Sequence, residues 1–218
     1  MNPTPDSVAR YREQYRRAEI PGYYRGWAHL AFSATFALGG IAWCVSRLAS
    51  VGAVEWLTVP LTFLYANVVE YWGHRVPMHR PVPGLRLVYR RHAGQHHRFF
   101  TAEAMALDGW GDLKAVLFPP LLISFFFTLF AVPVGALLAW LFTANVAYLF
   151  VITALAYFLN YEILHLLYHL PDGHPLARLP LLPTLRRLHH THHNPELMTK
   201  RNFNITYPIG DWVFRTLA

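Results

Sequence analysis

The stretch that decides the fold covers residues 134–169. Its first part, VGALLAWLFTANVAYLFVITALAYFL (134–159), is apolar and long enough to cross a bilayer as a helix, which needs about 20 residues. Its second part, NYEILHLLYH (160–169), places His165 and His169 four residues apart directly after the apolar run. Residues at this spacing share one helix face, so the stretch predicts a membrane helix that ends in paired imidazoles.

The composition extends this interpretation to the whole chain. Apolar residues make up 54% of the 218 residues and charged residues only 14%, whereas soluble domains carry about 25% charged residues. A length of this size favours one domain, residues 1–218. Cys44 is the only cysteine, which excludes an intrachain disulfide and a cysteine-based metal site. We therefore expect an all-α integral membrane protein.

Three further apolar runs are long enough, or nearly so, to cross the membrane. They lie at residues 27–49, 51–72 and 115–131. Residues 50–53 form a tight turn between the first two runs, and residues 132–135 are expected to join the run at 115–131 to the run at 134–159. Pro119 and Pro120 predict a kink near the start of the run at 115–131. The sequence thus predicts four transmembrane helices.

The basic residues predict the topology. Of 19 Lys and Arg residues, only Arg47 falls within a predicted hairpin, and the others lie in three polar regions. The positive-inside rule places these regions, with both termini, in the cytoplasm. The predicted parts are an interfacial segment (1–26), a first hairpin (27–72), a cytoplasmic loop (73–114), a second hairpin (115–159) and a cytoplasmic C-terminal region (160–218). The Arg-, Ala- and Pro-rich composition favours a bacterial inner membrane, and no nucleic-acid-binding module is present.

Ten of the thirteen histidines fall into four groups, all on the predicted cytoplasmic side. The groups are His74 and His79, then His92, His96 and His97, then His165 and His169, and finally His189, His192 and His193. Spacings of three or four predict shared helix faces for His92 with His96, and for His189 with both His192 and His193. Pro77 predicts a helix end that turns His79 back towards His74.

So many imidazoles beside apolar helices are costly to bury without partners. A metal ion coordinates neutral imidazole and removes this cost. Because one ion seldom takes more than six ligands, ten histidines indicate two ions. Imidazole suits iron, zinc, copper and nickel, so the ligand type alone does not identify the metal. We interpret His29 and His174 as interfacial polar residues, and His190 as lying outside the ligand set.

Four segments carry a resemblance to a known family. They read EYWGHRVPMHR (70–80), RRHAGQHHRFF (90–100), NYEILHLLYH (160–169) and RRLHHTHHNPELMTKRNFNITYPIGDWVFRT (186–216). In this order they resemble the membrane fatty acid hydroxylase superfamily, which includes sterol desaturases. The resemblance extends from about Tyr71 to Thr216, and the last segment follows the C-terminal signature of the family most closely.

The resemblance implies a histidine-rich di-metal site in a cytoplasmic helical cap. The implied cofactors are two iron ions, with O2 as co-substrate and electrons from a separate electron-transfer protein or reductase; zinc also binds such sites. The implied ligands are His74, His79, His92, His96, His97, His165, His169, His189, His192 and His193. We hypothesise that the centre oxidises a C–H bond of a membrane lipid, with a fatty acyl or sterol-like substrate.

No residue is assigned as catalytic. Asn160, Glu162 and Asp211 are candidates to support the ligands by accepting a ring N–H, and Glu70 and Asp108 are weaker candidates.

Several other functions fit the same histidines. The alternatives within oxidative chemistry are a carotenoid ring hydroxylase and a lipid desaturase. A membrane metal-binding protein is the alternative outside enzymology, although transport sites normally lie near the bilayer midplane. The absence of a His-Glu-x-x-His sequence argues against a zinc protease. The substrate, the choice between hydroxylation and desaturation, and the oligomeric state stay open.

Overall fold

The structure, a computed structural model, describes residues 4–218 and is all-helical, as the sequence predicts. In this range the only β pairing is an isolated bridge between Thr101 and Ala104. The α-helices are α1 (Pro5–Glu19), α2 (Gly26–Arg47), α3 (Thr58–Gly73), α4 (Arg86–Arg91), α5 (His97–Phe99), α6 (Leu113–Val116), α7 (Pro120–Phe126), α8 (Val132–Leu141), α9 (Ala144–Tyr168), α10 (Leu182–His192) and α11 (Ile209–Val213). The π-helical segments are His74–Met78, His92–His96 and Phe127–Ala131, and the 3-10 turns are Glu55–Leu57, Trp110–Asp112 and Pro175–Arg178.

The chain divides into two compact units. Unit 1 consists of Met1–Trp27, Asn67–Leu117 and Ile163–Ala218, and unit 2 consists of Ala28–Ala66 and Phe118–Glu162. Unit 1 therefore contains all four histidine groups, although they come from distant parts of the sequence.

Between residues 4 and 218, three helical segments are long and apolar enough to cross a membrane. They are Gly26–Arg47, Trp110–Leu141 and Ala144–Tyr168. These segments indicate a multi-pass membrane protein. The span predicted at 51–72 corresponds to α3, which has only 16 residues and is not among the three.

The predicted turn at 132–135 is wrong. These residues begin α8, with Pro133 in its first turn, and the chain breaks instead at Phe142, where φ is −128° and ψ is −104°. Proline lacks an N–H and clashes with the carbonyl four residues earlier in a regular helix. Here the π-helical segment Phe127–Ala131 precedes it, and this wider turn lets the helical path continue. The kink predicted at Pro119 and Pro120 is confirmed, because α6 ends at Val116 and α7 begins at Pro120.

The two hairpin turns of unit 2 are hydrogen bonded to each other. The Asn145 side-chain amide donates to the Ala49 carbonyl at 2.8 Å, and the Thr143 hydroxyl donates to the Glu55 carboxylate at 2.5 Å. The turn predicted at 50–53 is present, with Ser50 at a φ of 46°. The turn between α2 and α3 thus lies beside the turn between α8 and α9, at one end of this unit.

The core of unit 1 is formed largely by aromatic residues beside the histidines. Tyr15 of α1 packs edge-on against Phe99 of α5, with ring centroids 5.2 Å apart. Phe100, Met105 and Val116 complete the same buried cluster. Helix α1 is therefore part of the core of this unit, and its position at the membrane interface stays a prediction.

Candidate metal centre

The ten predicted ligands are all buried, and nine of them form two groups of converging ring nitrogens. Within each group, one nitrogen from each residue lies within 4.8 Å of every other. Group one is His74, His79, His92, His97 and His192. Group two is His96, His165, His169 and His189.

The tenth histidine, His193, borders group two. Its Nε2 lies 3.1 Å from Nε2 of His96 and 3.1 Å from Nε2 of His189. Its ring also stacks on His97 of group one, with centroids 4.2 Å apart. His193 therefore lies where the two groups meet.

Two π-helical segments decide which histidines come together. A π turn is closed by hydrogen bonds between residues five apart, and the His97 N–H donates to the His92 carbonyl in this way. The two Nε2 atoms of this pair are 3.0 Å apart. The other π segment, His74–Met78, ends directly before His79, whose N–H donates to the Val76 carbonyl, and the Nε2 atoms of His74 and His79 are 3.2 Å apart.

Two of the motifs nevertheless divide between the groups. The expected shared face of His92 and His96 is present, because their rings stack with centroids 5.2 Å apart, yet His92 joins His97 in group one while His96 joins group two. His192 likewise separates from His189, and its Nε2 lies 3.0 Å from that of His79. The expected shared face of His165 and His169 is present, because α9 stays regular to its end and both residues lie in group two.

Backbone carbonyls hold five of the rings by the Nδ1 atom. The distances are 2.5 Å from His74 to Phe203, 2.9 Å from His96 to Ala115, 2.9 Å from His169 to Met105, 2.8 Å from His192 to Arg201 and 2.7 Å from His193 to Phe100. A carbonyl oxygen only accepts, so each of these Nδ1 atoms carries the proton. Each Nε2 then presents a lone pair towards the centre, which is how metal-binding histidines are usually oriented.

The facing Nε2 atoms of His96 and His193 indicate whether the centre suits a metal ion. Both rings donate from Nδ1 to a carbonyl, so both Nε2 atoms are acceptors, yet these atoms face each other at 3.1 Å. Two lone pairs at this distance repel unless a cation lies near both. The residues present therefore fit a bound metal ion, and nitrogen ligands of this type suit iron, zinc, copper or nickel.

Protonation does not supply that cation at neutral pH. Burial removes water from the rings and lowers the pKa of His79 to about 2, of His96 to about 3 and of His192 to about 4. The pKa of His193 is lowered too, first by burial and then by its histidine neighbours. Burial therefore favours the neutral imidazole, which is the form that binds a metal.

Asp211 supports the centre through the backbone. It is fully buried, and its carboxylate accepts from the N–H groups of Phe203 at 2.8 Å and Asn204 at 2.7 Å, and from the Thr216 hydroxyl at 2.6 Å. The Phe203 carbonyl is the partner of His74. Asp211 was a candidate either to accept a ring N–H or to fasten the C-terminal segment, and these bonds show the second role.

The other predicted supporting residues differ in position. Glu70 accepts from the backbone N–H groups of Ile205 and Thr206, in the same loop. Asp108 is exposed and pairs with Arg16 of α1 at 2.5 Å, so it fastens a helix and does not contact a ligand.

Asn160 and Glu162 both lie on α9 in unit 2. Asn160 is half-buried, whereas Glu162 is fully buried and accepts from the Phe118 N–H at 3.1 Å. Their role in supporting the ligands stays a prediction.

The three histidines set aside from the ligand set have other partners. The His190 ring nitrogen lies 3.1 Å from the Tyr168 carbonyl, and His29 lies 2.9 Å from the Phe118 carbonyl. His174 accepts from the Leu176 N–H at 3.3 Å.

Arg12 is the main supporting residue that the sequence reasoning missed. It is 8% exposed, donates to the carbonyls of Phe99 and Ala104, and lies 5.3 Å from the centroid of the Phe100 ring. Phe100 in turn contacts His169, with ring centroids 4.0 Å apart. The only sequence signal was the position of Arg12 on the buried face of α1.

The fold and the centre define a class of protein: an all-helical membrane protein with a candidate metal centre made of histidines alone. A sequence model described as fatty acid hydroxylase matches residues 59–216, which is more than half of the chain. The chain therefore belongs to the fatty acid hydroxylase family, as the four sequence segments predicted. This family indicates an oxidoreductase that acts on lipids in a membrane. Comparisons with curated proteins and with solved structures gave no match.

Proposed function

We propose that the protein is an O2-dependent di-iron oxidase that hydroxylates a C–H bond of a fatty acyl or sterol-like membrane lipid. The observation that carries the proposal is the pair of buried histidine groups, in which neutral imidazoles direct their lone pairs inward. The family supports lipid oxidation as the reaction class. All ten histidines serve as ligands in this proposal, with His193 close to both groups.

Iron bound at the two groups supplies the redox chemistry that activates O2. The chain positions its ligands and keeps them neutral. The carbonyls of Phe203, Arg201 and Phe100 hold ring orientation, and burial excludes bulk water from the rings. Hydroxylation inserts one oxygen atom of O2 into a C–H bond, and the other becomes water with two electrons and two protons. We propose that a separate electron-transfer protein supplies the electrons.

We further propose four membrane spans, with α3 as the second. The segments before α2, from 67 to 117 and after 162 belong to one compact unit, which supports the proposal that they lie on one side of the membrane. In this proposal the chain between residues 28 and 66 crosses the membrane and returns. The hydrogen bonds between the two hairpin turns agree with this topology, because they place the ends of both hairpins together.

The side occupied by unit 1 is proposed from charge. Because 18 of the 19 Lys and Arg residues lie outside the predicted hairpins, we propose that this side, with both termini, is cytoplasmic. A bacterial inner membrane is the proposed location. A cap made of unit 1 and a single functional domain over residues 1–218 belong to the same proposal.

The first experiment measures metal and product together. The protein is produced with supplementary iron, purified in detergent, and analysed for metals; lipids of expressing and control cells are compared by mass spectrometry. We expect about two irons per chain, O2 consumption on reduction, and a lipid heavier by one oxygen atom. A lipid lighter by two hydrogens indicates desaturation instead. Bound zinc that iron does not replace, with no O2 consumption, contradicts the oxidase proposal and supports a metal-binding role.

A further inference from the structure

A stripe of exposed apolar residues runs along α3. Its six members are 41–64% exposed and are spaced by one turn of a helix. They are Leu61, Leu64, Tyr65, Val68, Val69 and Trp72. In a chain with membrane-spanning helices, such a stripe is the surface that faces lipid.

The stripe continues onto the C-terminal segment. The ring of Phe214 lies 5.4 Å from that of Trp72 and stacks on that of Tyr71 at 4.7 Å. Beyond it, Trp212 is 73% exposed, and Val213 and Leu217 are exposed as well. We refer to Trp212, Val213, Phe214 and Leu217 as the C-terminal apolar surface.

The charged groups beside this surface are cationic. The Arg75 guanidinium lies 5.4 Å from the Trp72 ring centroid, and Arg215 is exposed between Phe214 and Leu217. The acidic residue of this segment, Asp211, is buried and bonded to backbone N–H groups. The surface thus combines exposed apolar side chains, a tryptophan and arginines.

We propose that the C-terminal apolar surface lies in the interfacial layer of the bilayer and contacts lipid directly. Tryptophan favours the depth of the headgroups, and arginine attracts anionic headgroups. Because the C-terminal apolar surface is continuous with the stripe on α3, we expect both surfaces to face lipid.

A second copy of the chain is a poorer occupant. A two-fold contact pairs identical patches, so it gathers Arg75 and Arg215 of both copies at one interface, where this surface offers no exposed acidic residue to balance them.

The proposal gives the membrane a role in ordering the candidate centre. Trp212 and Asp211 are neighbours on α11. The Asp211 carboxylate accepts from the Phe203 N–H, and the Phe203 carbonyl accepts from Nδ1 of His74. A lipid contact at Trp212 therefore steadies the same segment that orients a ring of group one.

A spin label tests the depth of this surface. Cys44 is the only cysteine and is buried, so a Cys44→Ala background allows a single label to be placed by Trp212→Cys. The matched control is Glu196→Cys, another exposed position in unit 1. Each labelled protein is placed in lipid nanodiscs, and collisions with O2, which partitions into lipid, are compared with collisions with a water-soluble nickel chelate.

We expect the label at 212 to collide at least several-fold more with O2 than with the nickel chelate, and the label at 196 to show the reverse. Phosphatidylglycerol discs should place the label at 212 deeper than phosphatidylcholine discs. A label at 212 that matches the one at 196 overturns the proposal, because the surface is then in water. Protection from both reagents also overturns it and indicates a protein partner.

If Trp212→Cys fails to fold, Leu217→Cys tests the same surface, with the same outcomes. The measurement needs neither metal nor turnover. Failure of the lipid contact is therefore distinguishable from failure of the oxidase proposal.

Discussion

The Phe203 carbonyl lies 2.5 Å from Nδ1 of His74, although the two residues are 129 positions apart in the sequence. This contact joins the C-terminal loop to the end of α3. It depends on Asp211, whose carboxylate accepts from the Phe203 and Asn204 N–H groups. The orientation of a ring in group one thus depends on a carboxylate that touches no histidine of that group.

Asp211→Ala should weaken metal binding and lower stability together. The change leaves two buried N–H groups without an acceptor, at about 1–3 kcal/mol each. Loss of support for a metal-binding histidine typically lowers metal affinity by about 10–100-fold. Thermal unfolding in detergent and metal titration measure the two effects. Asp172→Ala, at an exposed acidic position, is the control; equal metal affinity in the two variants would show that the loop does not position His74.

Single alanine substitutions should separate the two metal-binding groups. We expect His192→Ala to lose the metal of group one, and His189→Ala to lose the metal of group two, since these residues belong to different groups. Metal per chain, measured by mass spectrometry, should fall by about one ion in each variant. His190→Ala, between them in sequence but bonded to the Tyr168 carbonyl, should keep both. Full metal retention in the first two variants would refute the ligand assignment.

Arg12→Met should destabilise unit 1, although Arg12 lies outside the segment that matches the family. The variant loses hydrogen bonds from a charged group to the Phe99 and Ala104 carbonyls. Bonds of this type contribute about 1.5–3 kcal/mol each, so the melting temperature should fall by several degrees. Arg17→Met, with a side chain 78% exposed, is the control and should change little. Equal melting temperatures in both variants would mean that α1 does not support the core.

The metal-free protein should lose stability as the pH falls. In the unfolded chain the histidines bind protons below about pH 6.5, whereas in the folded chain burial lowers the pKa of His96 to about 3 and of His192 to about 4. The unfolded state then binds more protons between these values, so acid favours unfolding. Denaturant titrations at pH 7.5 and pH 5.5 measure the effect. A midpoint that stays constant or rises at pH 5.5 would show that the rings are not buried in neutral form.

The sequence predicted features that follow from regular geometry. A regular α9 made the shared face of His165 and His169 predictable, and composition made the membrane helices predictable. The sequence did not predict the division of the histidines between groups, because it shows no sign that His92–His96 forms a π-helical segment. The role of Arg12 was also missed, since long-range contacts decide whether an arginine on an amphipathic helix is buried.

The carboxylates show the same limit. Asp108 and Asp211 were both candidates by their proximity to histidine motifs, yet one pairs with an arginine of α1 and the other orders a loop. Proximity to the histidine motifs indicated that both carboxylates lie near the centre. Only the folded structure shows that Asp108 pairs with α1 and that Asp211 orders a loop.

The two groups of ring nitrogens do not come from two separate segments of the sequence. The segment at 92–97 gives two rings to group one and one to group two, and the segment at 189–193 gives His192 to group one and His189 to group two. A deletion or an exchange of either segment with a relative would therefore damage both half-sites at once. A single alanine substitution, by contrast, removes a ring from one half-site alone.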